Sequence, residues 1–176
     1  MKKFKVLTKK LVVDSPYCQI EKQRVVLPNG KTGDWYVSLN SDAVIVIPIR
    51  PDGSVILQRQ YKHGGGEVVT EFCAGLVDKG EEPLAAAKRE LREETGYTSD
   101  NFEHLHTVFS NPTGSRMRYH YFLARDVELT DETDFDEAEQ IELVIVPSLE
   151  HARILLCDKS TLTTAGMLGA LSLVKS

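Results

Sequence analysis

One amphipathic segment, Glu82 to Thr95, constrains this chain more than any other stretch. Leu84, Ala87 and Leu91 recur at spacings of three and four with charges between them, the pattern of a helix with one buried face. Pro83 suits the first turn, where a missing N–H costs nothing, and Gly96 suits a left-handed stop. The apolar runs on either side are strand-sized. Ala43–Ile49 reads as a buried strand, with Val55–Gln60 as its partner across the Pro51-Asp52-Gly53 turn. Glu67–Cys73, Phe102–Ser110, Met117–Ala124 and Ile141–Val146 read as further strands, and Leu149–Leu156 and Leu162–Val174 as later helices. Near the start, Val6-Leu7 and Leu11-Val12-Val13 flank a lysine-rich turn, and Tyr17 to Leu27 alternates. Trp35-Tyr36-Val37 resumes a strand after Pro28-Asn29-Gly30. The reading is an α/β chain: a β-rich N-terminal extension over 1–40, then a main domain over 41–176.

Composition removes several classes of function. With 21 Lys and Arg against 26 Asp and Glu, the net charge is −5, which argues against a nucleic-acid binder relying on bulk positive charge. No apolar run approaches the ~18–20 residues of a membrane span. The opening MKKFKVLTKKLVVD lacks an apolar h-region and a cleavage site, so no signal peptide is expected. Cys18, Cys73 and Cys157 are odd in number and far apart, which suits a reducing cytoplasm rather than a disulfide framework. The acid is unevenly placed. Seven carboxylates and no base lie between Asp131 and Glu142, and a second group, Glu90, Glu93 and Glu94, falls in the helical segment. Two such groups point to divalent cations; a solvated loop and a solvated helix face are the plain alternative.

Spacing favours the cations. On a helix, Glu90, Glu93 and Glu94 are three and four residues apart and project from one face. Their mutual repulsion would be relieved by a hard divalent ion, and Mg²⁺ prefers oxygen ligands together with water and phosphates. Arg89 can neutralise and orient a neighbouring glutamate. A turn at Gly75 lets backbone approach the metal. The whole stretch, GLVDKGEEPLAAAKRELREETGY from Gly75 to Tyr97, resembles the Nudix box, G-x5-E-x7-R-E-U-x-E-E-x-G-U with U apolar or bulky. Gly75, Glu81, Arg89, Glu90, Leu91, Glu93, Glu94, Gly96 and Tyr97 fill every specified position.

The resemblance reaches further, to the ADP-ribose and nucleoside-diphosphate-sugar pyrophosphatases of that family. Arg59-Gln60-Tyr61-Lys62 and Glu71-Phe72-Cys73-Ala74-Gly75 are similar to the subfamily's "RQYR…ElPaG" run. Pro112 stands where its substrate loop carries a proline, and Glu137-Ala138-Glu139-Gln140-Ile141-Glu142 resembles the acidic loop before its last core strand. This resemblance implies a Nudix fold, a mixed β-sheet sandwiched between α-helices. It implies Mg²⁺, with Mn²⁺ as a substitute, held by the Ala74 carbonyl, Glu90, Glu94, Glu93 and Glu139. It implies Glu137 as general base, exchangeable with Glu139, and catalytic roles for Glu93 and Arg89. Substrate contacts are implied at Arg59, Lys62, Leu76, Pro112, Arg116 and Arg118. Trp35 would stack on the base or simply be buried; Arg24 would reach the nucleotide or form a surface ion pair. The extension would pair two copies into a homodimer.

The implied reaction is hydrolysis of ADP-ribose to AMP and ribose 5-phosphate. GDP-mannose or another nucleotide sugar is the near rival, and a sensing module without catalysis a more distant one. Three departures bear on the choice. Lys62 replaces an arginine and loses bidentate phosphate recognition. Phe72-Cys73 replaces the usual Leu-Pro. After Pro112 the loop reads Thr-Gly-Ser-Arg-Met-Arg, where ADP-ribose pyrophosphatases often carry a glutamate. His104 and His106 share a strand face but have no third metal ligand nearby in sequence.

Overall fold

A computed structural model describes residues 1–16, 18–135 and 140–174. The chain divides into two compact units, Met1–Asp42 with Phe109–Arg118, and Ala43–Val108 with Tyr119–Ser176.

The first unit is built on three antiparallel strands, β1 (Lys5–Ser15), β2 (Cys18–Val26) and β3 (Thr32–Ser38), in the order β1-β2-β3. The lysine-rich turn expected near Lys9 is absent: β1 runs straight through it. Two register shifts, between Val6 and Thr8 and between Leu11 and Val13, absorb the break in alternation. The turn at Pro28-Asn29-Gly30 does form. Leu27 N–H donates to Lys31 O at 2.8 Å, and Gly30 takes φ +84°.

The second unit contains β4 (Ala43–Pro48), β5 (Val55–Lys62), β6 (Glu67–Glu71), β7 (Cys73–Leu76), α1 (Pro83–Thr95), β8 (Tyr97–Thr98), β9 (Asn101–Phe109), β10 (Arg118–Arg125), β11 (Glu128–Leu129), β12 (Ile141–Val146), α2 (Leu149–Cys157) and α3 (Ala165–Leu173). Strand β4 lies inside a mixed sheet of order β7-β4-β10-β9, parallel to β10 and antiparallel to β7. All six β4 residues are buried, and their alternation divides the core. Val44 and Val46 pack with Ala86, Ala87 and Leu91 of α1, while Ile45 and Ile47 pack with Leu156 of α2 and Met167 and Leu171 of α3. Helices therefore cover both faces of the sheet.

Two sequence expectations need correction. Strand β5 is not the ladder partner of β4. Only the isolated bridge Ile49–Val55 joins the two runs, and β5 then pairs with β12 and β6 in a second, antiparallel sheet. The run Glu67–Cys73 is likewise not one strand. It changes sheets at Phe72, so that β6 pairs with β5 and β7 with β4. This switch delivers Ala74 and Gly75 to the edge of the mixed sheet, beside α1.

Candidate active site

The start and stop of α1 fix which side chains reach the edge of β7. Pro83 sits in the first turn, and Gly96 caps the end at φ +73° with its N–H on Arg92 O at 2.8 Å. Leu91, Ala86 and Ala87 turn into the core, which leaves Arg89, Glu90, Glu93 and Glu94 on the side facing β7. These four residues line a cleft of about 520 Å³ with Ala74, Gly75, Leu76, Asp78 and Asp134.

Glu90 lies directly over the backbone of β7. A Cβ placed on Gly75 would fall 2.0 Å from the Glu90 Cδ, so only glycine leaves this carboxylate its place. Arg89 is the hub of the cleft. Its Nε and Nη2 donate to the two oxygens of Glu81 at 3.0 and 2.9 Å, and Nη2 also reaches Leu76 O at 2.9 Å. Its Nη1 donates to Glu90 at 2.7 Å and Glu93 at 3.1 Å. The guanidinium holds the Glu81 carboxyl below its ordinary range, and Glu81 in return raises the pKa of Arg89. Glu94 is nearly enclosed, 3% exposed. Its Oε2 accepts Ala74 N–H at 3.0 Å and Gln58 Nε2 at 3.2 Å. Burial, reinforced by the neighbouring Glu90 charge, pushes its pKa up to about 7 against the donors that favour the anion. The Cys73 thiol, raised by burial and by the same carboxylates, stays protonated and hydrogen-bonds Glu94.

The donor chemistry suits a hard divalent cation: carboxylate oxygens and a backbone carbonyl in a cleft cradled by glycine. Among the described residues no three His, Cys, Asp or Glu side chains are gathered into a ready cage. Arg89 holds Glu90 and Glu93 by its own hydrogen bonds.

The sequence-predicted residues separate into three groups. Arg89, Glu90, Glu93, Glu94, Ala74 and Leu76 meet in the cleft. Glu137 and Glu139 lie outside the described residues. The remaining residues are held in polar pairs or turns within their own unit. Arg59 pairs with Glu142 across β5 and β12 at 3.3 Å, and Lys62 pairs with the buried Glu71 at 2.8 Å. In the first unit, Arg24 pairs with Asp34 at 2.9 Å, Arg116 with Glu21 at 3.3 Å and Arg118 with Asp42 at 2.8 Å. Trp35 Nε1 donates to Thr113 O at 2.9 Å, in the turn that Pro112 opens, and its ring meets Phe4 edge-on at 5.4 Å. His104 hydrogen-bonds Thr107 at 2.9 Å.

The sequence does not single out three residues, Asp78, Asp134 and Gln58; Asp78 lines the cleft with its carboxylate 4.0 Å from Arg89 Nη2. Asp134 belongs to the acidic run between Asp131 and Glu142, which carries no local signal that distinguishes it. Its N–H donates to Glu93 O at 2.9 Å, and this seats it at the cleft. Gln58 carried one signal, an amide ending the apolar run Val55-Ile56-Leu57.

This geometry, an arginine-organised carboxylate helix crossing a glycine-bearing sheet edge, agrees with comparison against known proteins. Residues 39–162 match the NUDIX domain, so the chain belongs to that family, a class of hydrolases. Residues 4–38 match the nucleoside diphosphate sugar hydrolase N-terminal domain. Among its relatives, an ADP-ribose pyrophosphatase of Bacillus subtilis is 31% identical over 149 residues, 84% of this chain and 80% of that one. A GDP-mannose pyrophosphatase of Yersinia enterocolitica is 33% identical over 117 residues, 61% of this chain and 60% of that one. A solved structure described as an ADP compounds hydrolase superposes with a TM-score of 0.85 at 27% identity, covering 98% of this chain and 92% of the other.

Proposed function

We propose that this chain hydrolyses the diphosphate bridge of ADP-ribose, releasing AMP and ribose 5-phosphate, with Mg²⁺ as its metal and Mn²⁺ as a substitute. The observation that carries the reading is the joint placement of Glu90, Glu93 and Glu94 with the Ala74-Gly75 backbone in one cleft. Glu90, Glu94 and the Ala74 carbonyl are the proposed metal ligands, with Glu93 and Glu139 completing the set. When bound there, a divalent cation supplies positive charge to the diphosphate and lowers the pKa of a coordinated water. Arg89 keeps the carboxylates apart and aimed. Glu137 is the proposed base that takes the proton from the attacking water, with Glu139 as the exchangeable candidate. Leu76, 54% exposed at the rim of the cleft, is proposed to contact substrate. The same role is proposed for Arg59, Lys62, Pro112, Arg116, Arg118, Trp35 and Arg24.

GDP-mannose is the second reading. The loop after Pro112 supports it, offering Arg116 and Arg118 where a glutamate is usual. The N-terminal strands are proposed to join two copies of the chain, and its three free cysteines fit a reducing, cytoplasmic setting.

A product assay with Mg²⁺ and equal concentrations of ADP-ribose and GDP-mannose tests the proposal. Preferential AMP release is the expected result. Preferential GMP release would move the specificity to GDP-mannose, and rapid pyrophosphate release from a nucleoside triphosphate would sink both readings.

A further inference from the structure

Strand β5 buries Val55, Ile56 and Leu57 completely, and then buries an amide, Gln58, just as completely. An enclosed amide is unfavourable unless both of its ends are paired. Gln58 is paired at one end only. Its Nε2 donates to Glu94 Oε2 at 3.2 Å, while its Oε1 has no hydrogen-bond partner among the described residues. Its cross-strand neighbour on β6, Glu71, is engaged by Lys62. An aliphatic side chain would fill the same space without an orphaned oxygen, so packing does not account for the amide. What the amide does is reach a carboxylate 36 residues away and hold it, together with Ala74 N–H and the Cys73 thiol. Donors from β5 and β7 thus converge on a side chain delivered by α1.

We propose that Gln58 is a positioning residue for Glu94, its amide holding the carboxylate in the orientation that binds a divalent cation. This rests on the reading of Glu94 as a metal ligand. Partners that orient metal-binding side chains contribute about 10- to 100-fold in metal affinity. Gln58 would act at the weaker end, because Ala74 N–H and Cys73 share the task.

The test is Mn²⁺ binding to the full chain, followed by electron paramagnetic resonance without substrate, in wild type, Gln58→Met and Glu94→Gln. Methionine keeps the length and removes both the donor and the orphaned oxygen. Gln58→Met is expected to bind Mn²⁺ about tenfold more weakly while its metal-free Tm stays level or rises. Gln58→Asn keeps the amide but withdraws it by one methylene. It is expected to weaken Mn²⁺ binding likewise, and it decides the matter if the methionine variant fails to fold. Wild-type affinity in the Gln58 variants, beside at least tenfold loss in Glu94→Gln, would overturn the positioning role alone. Wild-type affinity in Glu94→Gln would remove Glu94 as a ligand, and the role of Gln58 with it.

Discussion

The backbone of Gly75 and the carboxylate of Glu90 share a volume that a single methyl group would fill. The conflict is with the end of a flexible side chain, 2.0 Å from the added carbon, and not with backbone. Gly75→Ala should therefore keep the fold and displace the carboxylate, two effects that are usually confounded. Turnover is expected to fall about a hundredfold, the scale on which a misplacement of about 1 Å acts, with Tm changed by only a few degrees. Thermal melts beside kcat check this, and a collapse of Tm equal to the loss of activity would count against it. Arg89, Glu90, Glu93 and Glu94 were legible in the sequence because one helical period relates them. Gln58 and Asp134 were not. Each meets a cleft residue through a contact between distant parts of the chain, Gln58 of β5 with Glu94 near the end of α1 and Asp134 N–H with Glu93 O, which no local pattern encodes.

At the scale of elements, α1 was readable from its own residues: Pro83 at its start, a repeating apolar face and Gly96 at its end. The strands misled where the chain changes sheets. Two buried runs joined by Pro-Asp-Gly look locally like a hairpin, yet β4 takes β7 and β10 as partners and β5 takes β6 and β12. Burial on both faces hides the alternation that would have assigned them. The end of α1 also carries a pH dependence. Glu94 titrates near 7 when folded, through burial and the Glu90 charge, against 4.5 ordinarily. The folded state then holds a proton that the unfolded chain releases. The stabilisation is complete below about pH 4.5 and is lost as pH rises through about 7. Urea melts of the metal-free protein between pH 5 and 8 should show stability falling with pH, and Glu94→Gln should flatten that slope. An identical slope in the variant would mean that another group carries it. Leu91, fully buried beneath the helix, gives the packing counterpart: Leu91→Ala should lower stability by about 2–5 kcal/mol in the same melts.

For the whole molecule, Met1–Asp42 with Phe109–Arg118 and Ala43–Val108 with Tyr119–Ser176 each present a different problem of burial. The second unit packs α1 on one face of β4 and α2 and α3 on the other. In the first, β1 stands at the edge of its sheet with Val6, Leu7, Leu11, Val12 and Val13 all exposed by 40% or more. Runs of exposed apolar residues on a long edge strand invite pairing with another chain. The net charge of −5 adds only modest repulsion between copies at physiological ionic strength. A second copy of this chain is the partner proposed above. Leu7→Lys with Leu11→Lys places charge on two exposed positions, so neither change should disturb the fold of a single copy. Light scattering on the purified protein is expected to give twice 19.7 kDa for the wild type and a mass near the single value for the double variant. A wild type that already runs as a single copy at micromolar concentration would leave the apolar face of β1 to a different partner.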